Sequence, residues 1–285
     1  MKQNKRGQKT LPPSRALPAA GAALLCVLAL WLISRPKTIE LPYLTAQYIA
    51  VMDQNTGKFV YEKDIDQPRS PASLTKLMTL FVVLDDIKSG ALHWEDETTI
   101  LPQEAHALGS KYGMTPGEVL TVEQLVAGTL LRSGCDCVQT LVRLTAGNEP
   151  DFVERMNQKA QELGLKGSRF ANATGIDAAG HYMTAENIAQ LTRALLETHP
   201  ELLELSARQE VEIGGRIFEN MHRLVGRDSR VKGLKTGTTT IGGYNLVTLA
   251  QQGEESYIIV LLDSNNDSTR FSETAAIVNT LFGEE

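Results

Sequence analysis

Along residues 48–282 the hydrophobic period changes more than once, and that order restricts the fold more than any other feature. It begins at two, lengthens to about 3.6, returns to two and ends on a last helical stretch. Tyr48-Ile49-Ala50-Val51-Met52, the polar turn Asn55-Thr56-Gly57-Lys58 and Phe59-Val60-Tyr61 spell a hairpin. From Pro71 the stripe Leu74, Leu77, Met78, Phe81 and Leu84 runs at helical spacing through Lys88, and Gly90 ends it. Thr121-Val-Glu-Gln124 is a capping box ahead of Leu125, Val126, Leu130 and Leu131. Pro150 and Gly164 bound a further helix, and Thr184 opens another that reaches His199. Val211 to Phe218 reads as a small hairpin about Gly214-Gly215. Gly233–Lys235, Tyr244–Ala250 and Ser256–Leu262 read as strands, and a last helix runs from about Ser272 to Phe282. Strands at both ends with helices between them exclude a βαβ alternation. The economical solution is an α+β fold: one antiparallel sheet flanked by helices, plus an all-helical lobe.

Charge divides the 285 residues unevenly. Lys2, Lys5, Arg6, Lys9, Arg15, Arg35 and Lys37 face no acid before residue 38, leaving 21 basic against 34 acidic residues afterwards. A body with net charge −13 has no footprint for a phosphate backbone, so nucleic-acid partners are excluded. Ala16 to Ser34 is a 19-residue stretch without charge, long enough to cross a hydrocarbon core. The basic leader keeps residues 1–15 cytoplasmic and sends the rest outward. The run leaves through Trp31-Leu32-Ile33-Ser34-Arg35-Pro36 without a small-x-small cleavage site, so an uncleaved transmembrane signal-anchor is expected over a cleaved signal. The expected organisation is a tail (1–15), an anchor (16–34) and an extracytoplasmic domain (38–285) on the cell membrane. Cys135 and Cys137 stand too close in sequence to bridge well, and the five histidines show no ligand spacing. No disulfide, metal or cofactor is expected.

The chemistry lies in hydroxyls and amines. There is no phosphate-binding glycine loop, no dinucleotide fingerprint and no Gly-x-Ser-x-Gly elbow. Ser-x-x-Lys occurs three times, at Ser34, Ser73 and Ser229. Such a pair alone is usually a cap and a solvated lysine. At Ser73 it opens a long apolar helix, which puts Lys76 one turn on along the same face. A serine needs a base within about 2.6–3.2 Å, and a lysine with a lowered pKa serves. Ser133-Gly134-Cys135 then follows a helix, and Lys235-Thr236-Gly237 ends a strand, with Thr238 next. Ser-x-x-Lys, Ser-Gly-x and Lys-Thr-Gly in that order form the three-motif pattern of penicillin-recognising serine enzymes.

The chain resembles the serine D-alanyl-D-alanine carboxypeptidases, the low-molecular-mass penicillin-binding proteins of peptidase family S11. Pro71-Ala-Ser-Leu-Thr-Lys-Leu-Met-Thr79 is similar to the family's nucleophile segment, and Lys232-Gly-Leu-Lys-Thr-Gly237 with Gly243-Tyr-Asn-Leu246 to its third motif. Phe170-Ala-Asn-Ala-Thr-Gly-Ile-Asp177 resembles the family's Gly-[Leu/Ile]-Asp loop, and Gly109-Ser110 with Pro116-Gly117 fits the segment before the second motif. The resemblance implies Ser73 as acyl-ester nucleophile, Lys76 as general base and Ser133 as proton relay. It implies Lys235 as a source of positive field, and the Thr238 and Ser73 N–H groups as the oxyanion hole. Thr236 and Arg270 are the candidates for the substrate's terminal carboxylate, Arg270 standing just before the final helix, and Gly237 is among the substrate-binding residues with them. Cys135 replaces the family's usual Asn in the second motif, which alters substrate positioning because a thiol hydrogen-bonds weakly. The implied partners are stem peptides ending in D-Ala-D-Ala, and β-lactams. Transpeptidation, a serine β-lactamase using Glu149 or Glu154, and a catalytically silent wall-binding homologue are the alternatives. Many relatives add a β-rich second domain, and none is expected before the last residue, Glu285.

Overall fold

The computed structural model describes residues 38–284. Strands β1 (Tyr48–Asp53) and β2 (Phe59–Lys63) form the first hairpin. A 3-10 turn (Ala72–Thr75) leads into α1 (Lys76–Ser89), which Gly90 ends in the left-handed conformation at φ 79°. Then come β3 (Glu97–Thr99), α2 (Pro102–Ala105), β4 (Val119–Thr121), α3 (Val122–Leu131), α4 (Cys135–Ala146) and α5 (Glu149–Glu162). After α6 (Ala185–Thr198) and α7 (Glu201–Ser206) the chain returns to strands: β5 (Glu210–Ile213), β6 (Arg216–Glu219), β7 (Val231–Thr239), β8 (Gly243–Gln252) and β9 (Glu255–Ser264). Helix α8 (Asp267–Phe282) follows.

Five strands make one antiparallel sheet in the order β2-β1-β9-β8-β7, as the order of periods requires. Its central strand shows why both faces are covered. Along β9, Ile258, Val260 and Leu262 enter the larger core, shared with α1, α3, α4, α5 and α6, while Tyr257, Ile259 and Leu261 face a smaller core closed by α8. An unbroken apolar run is the signature of a strand buried on both sides. The anticipated caps are present, Thr121 and Gln124 capping α3 reciprocally and Thr184 capping α6, and the structure adds Asn148 as the cap of α5.

Besides α2, α4 and α7, which the sequence reading did not set out, and the continuation of β7 past Lys235 to Thr239, two elements differ from that reading. The last helix starts at Asp267, about five residues early, because the Asn266 side chain accepts the Thr269 N–H at 2.9 Å. Arg270 therefore sits inside the first turn of α8 and not before it. The second difference is the β3–β4 hairpin, too short to leave a period. Among the described residues no helix is long and apolar enough to cross a membrane. The expected tail and anchor, residues 1–34, lie outside the described residues.

Candidate active site

Ser73 sits in the 3-10 turn, one residue after Ala72, whose φ is +51°. A left-handed alanine is strained by about 1 kcal/mol or more, and its neighbours must hold it. Gly175 packs on the Ala72 carbonyl from one side, with φ +83°, so closely that a Cβ there would overlap it. From the other side comes Gly237 of β7, where a Cβ would stand 3.0 Å from the Pro71 oxygen and 3.2 Å from Leu74 N. The nucleophile turn is thus clamped between a loop and an edge strand. Gly175→Ala combines the unfavourable φ with that overlap, and it is expected to destabilise the domain by about 2–4 kcal/mol in urea unfolding. A variant as stable as the parent would show that the clamp is loose.

Lys76 begins α1, and its side chain is fully buried. Its Nζ donates to Ser73 Oγ at 2.9 Å and to the Thr174 carbonyl at 2.6 Å. Burial holds this amine below its ordinary pKa, and the neighbouring Cys135 thiol pulls partly back. The Thr174 carbonyl was not among the residues singled out from sequence, although its loop was. Residues 172–177 stay in place through a set of short bonds. Thr79 Oγ1 donates to the Ala173 carbonyl at 2.6 Å, and Asn172 Oδ1 accepts the N–H groups of Thr174 and Gly175. At the loop's far end, Asp177 Oδ1 accepts from Ser70 Oγ at 2.5 Å and Thr239 Oγ1 at 2.8 Å, tying it to β7. Burial pushes the Asp177 pKa upward, but the Ser70 and Thr239 hydroxyls and the Ile241 N–H outweigh it and hold it low.

His181 braces the same assembly. Its Nδ1 accepts the Ala171 N–H, so the proton sits on Nε2, which donates to Thr75 Oγ1 at 2.7 Å. Burial lowers its pKa to about 4, against the opposing charge of Asp177. A histidine with a lower pKa folded than unfolded binds fewer protons when folded, so acid favours the unfolded chain. Stability should be full above about pH 6.5 and fall as pH drops toward about 4. A thermal midpoint that stays flat across that window would contradict this.

The second motif joins α3 to α4. Ser133 adopts φ +59°, and its buried Oγ has no hydrogen-bond partner among the described residues. An unpaired buried hydroxyl costs about 1–3 kcal/mol, so this one is kept at the expense of stability. Cys135 opens α4 and donates its N–H to the Ser110 carbonyl at 2.7 Å. Its Sγ lies 2.9 Å from where a Cβ on Gly109 would stand. Cys137 faces elsewhere, packed on Gly128 and Gly134, and burial pushes its pKa well up. Both thiols are free, as the spacing implied.

On β7, Lys235 is 1% exposed and donates to the Thr236 carbonyl at 3.0 Å. Burial, then Lys76 and Arg270, push it well below its ordinary pKa. Thr236 and Gly237 are buried beside it, and Thr238 is exposed. Arg270 reaches this strand from α8, but its fork is engaged. One terminal nitrogen donates to the Gly237 carbonyl, Thr238 Oγ1 and the Asn245 carbonyl, each at 3.0 Å, and the other pairs with Asp267. Arg270 braces β7 against β8, and only its Nε lacks a partner. The fold thus gathers Lys76, Cys135 and Lys235 around the Ser73 turn, while Arg270 stands behind the strand's backbone.

A family profile described as D-alanyl-D-alanine carboxypeptidase matches residues 35–266. D-alanyl-D-alanine carboxypeptidase DacC of Escherichia coli is 34% identical over 268 residues, 91% of this chain and 67% of that protein. DacF of Bacillus subtilis is 28% identical, the match covering 87% of this chain and 64% of the relative. Penicillin-binding protein D2 of Listeria monocytogenes, solved with ampicillin bound, superposes with a TM-score of 0.78 at 30% identity, over 85% of this chain and 99% of that one. With the nucleophile turn, its lysine and the Lys-Thr-Gly strand assembled as above, the chain belongs to the D-alanyl-D-alanine carboxypeptidase family of serine peptidases.

Proposed function

We propose that this protein removes the terminal D-alanine from peptidoglycan stem peptides through an acyl-enzyme on Ser73. The observation that carries the reading is the buried Lys76 amine, 2.9 Å from Ser73 Oγ, with burial favouring its neutral form. The neutral amine takes the Ser73 proton as Oγ attacks the penultimate D-alanine carbonyl. The N–H groups of Ser73 and Thr238 receive the oxyanion, and Ser133 passes a proton to the leaving nitrogen. Its unpaired hydroxyl suits a group whose partner arrives with substrate. Water then releases the shortened peptide.

In the free site burial, and after it the neighbouring Lys76 and Arg270, hold the Lys235 pKa well below its ordinary value. The substrate ends in a carboxylate, and an anion beside Lys235 raises that lysine's pKa. Substrate binding thus favours the charged form of Lys235, as a source of positive field requires. Arg270 contributes by holding Gly237 and Thr238 in register, its terminal nitrogens being engaged by the Gly237 carbonyl, Thr238 Oγ1 and Asp267.

β-Lactams should acylate Ser73 too, as the ampicillin-bound relative suggests. For location, the uncharged stretch 16–34 and its basic flanks support a membrane-held domain on the extracytoplasmic side. The direct test is a peptide ending in D-Ala-D-Ala: one equivalent of D-alanine per cleavage is expected, and no release would overturn the reading.

Cys135 gives a further check. Ser133 and Lys235 supply relay and field without it, so Cys135→Asn should shift turnover by about three- to tenfold at most, the value of one neutral hydrogen bond. A bulky thiol reagent on Cys135 should block benzylpenicillin acylation, and prior acylation should protect the thiol. Full labelling with an unchanged acylation rate would remove Cys135 from the site.

A further inference from the structure

Ser133 Oγ meets no partner among the described residues, so only the backbone turn beneath it fixes where that hydroxyl points. The turn is a demanding one. Ser133 stands at φ +59°, a left-handed conformation that a side chain disfavours, and its surroundings must hold it there. Two backbone bonds flank it: the Gly134 N–H donates to the Gly128 carbonyl at 3.0 Å, and the Cys135 N–H to the Ser110 carbonyl at 2.7 Å. Gly128 lies within α3. Ser110 lies in an irregular stretch whose residues 108–111 are exposed, so its carbonyl must be held from farther along the chain.

Asp136 is placed to do that. It is fully buried in the first turn of α4. Oδ1 accepts the N–H groups of Tyr112 at 2.9 Å and Cys137 at 3.0 Å, and Oδ2 those of Gly113 at 2.7 Å and Met114 at 3.2 Å. Four amide hydrogens are shared between two acceptor oxygens, which a carboxylate offers and an amide does not. Three consecutive N–H groups thus bind residues 112–114 to the start of α4, beginning two positions past Ser110. Gly134 leaves no slack between them: a Cβ there would stand 2.7 Å from Asp136 Oδ1 and 3.1 Å from Tyr112 Cβ. From outside, Arg216 of β6 donates to the Gly113 carbonyl at 2.7 Å and lies 4.6 Å from the centre of the Tyr112 ring.

We propose that Asp136 is a positioning residue for acyl transfer: it pins residues 112–114, which fixes the Ser110 carbonyl and through it the turn that aims Ser133 at the leaving nitrogen. Arg216 closes on the same segment from the other side. This deepens, and rests on, the carboxypeptidase reading. In that reaction Ser73 Oγ bonds to the carbonyl carbon as the C–N bond breaks, and the proton that Lys76 takes from Ser73 reaches the departing nitrogen through Ser133. A peptide nitrogen leaves only when protonated, whereas an ester oxygen leaves far more readily without that help. A loosened turn therefore harms a peptide more than an ester.

The experiment compares diacetyl-L-lysyl-D-alanyl-D-alanine with the same compound ending in D-lactate, an ester. Both give the same acyl-enzyme, so kcat/KM reads its formation alone. Asp136→Asn should lower kcat/KM by about 10- to 100-fold for the peptide and by about threefold or less for the ester. On a Ser133→Ala background the same substitution should cost the peptide less than about twofold, because the group it positions is gone. Arg216→Gln should show the same pattern more weakly, and it replaces Asp136→Asn in every comparison if that variant fails to fold. An unchanged peptide rate, an equal fall for both substrates, or an undiminished effect on top of Ser133→Ala would overturn the proposal. If the native protein cleaves neither compound although benzylpenicillin acylates Ser73, the carboxypeptidase reading fails on its own. Acylation then supplies the measure. Slowing by Asp136→Asn that disappears on the Ser133→Ala background supports the role, and slowing that persists there, or no slowing, overturns it.

Discussion

Ser73→Ala protein will carry no mass adduct after benzylpenicillin and will release D-alanine at least about 10⁴-fold more slowly than the parent. The magnitude follows from the loss of the covalent route: without Oγ, only positioning and oxyanion contacts remain to help water. Other hydroxyls stand nearby, so the result discriminates. Ser133 has a free Oγ, but no amine is bonded to it, and Thr75 Oγ1 is occupied by His181. Only Ser73 combines an Oγ bonded to an amine with a position in the turn that Gly175 and Gly237 clamp. An adduct that persists in the variant, or maps to Ser133, would move the nucleophile and with it the whole mechanism.

Lys76→Arg should lower benzylpenicillin acylation by about 10²- to 10⁴-fold, the usual value of general-base assistance. A guanidinium reproduces the charge and the hydrogen bonds, yet it does not give up a proton near neutrality, so proton transfer alone is removed. The pH profile supplies the same test without mutation. Burial lowers the Lys76 pKa, and the reactive form is the neutral amine. Acylation must therefore rise as pH climbs through that lowered value and level off above it, and the rise must be missing in Lys76→Arg. Wild-type rate in the variant, or a profile that falls over that range, would show that another group takes the proton.

Much of this architecture was readable from local rules. Period two in residues 48–61, period 3.6 from Leu74 and the Thr121 and Thr184 caps each depend on a handful of adjacent residues. The elements they describe lie where those rules put them. Errors came where one hydrogen bond outweighs a period. Asn266 caps α8 early and draws Arg270 into the helix, and the apolar stripe begins only beyond it. The active-site motifs were readable for a related reason. Ser73 and Lys76 are one helical turn apart, so their meeting is local geometry.

By itself the amino-acid order determined the α+β layout, the meeting of Ser73 with Lys76, and two thiols unable to pair, because each rests on contacts between residues near in sequence. Tertiary structure alone decided what sets their chemistry. The lowered pKa of Lys76 needs a closed core around it, and the amine's second hydrogen bond goes to the Thr174 carbonyl, 98 positions away. The Asp177 tether to Ser70 spans 107 positions, and the engagement of Arg270 with the Gly237 carbonyl spans 33. Desolvation and carbonyl placement come from packing distant segments together, and no window of neighbouring residues encodes which carbonyl will face which amine.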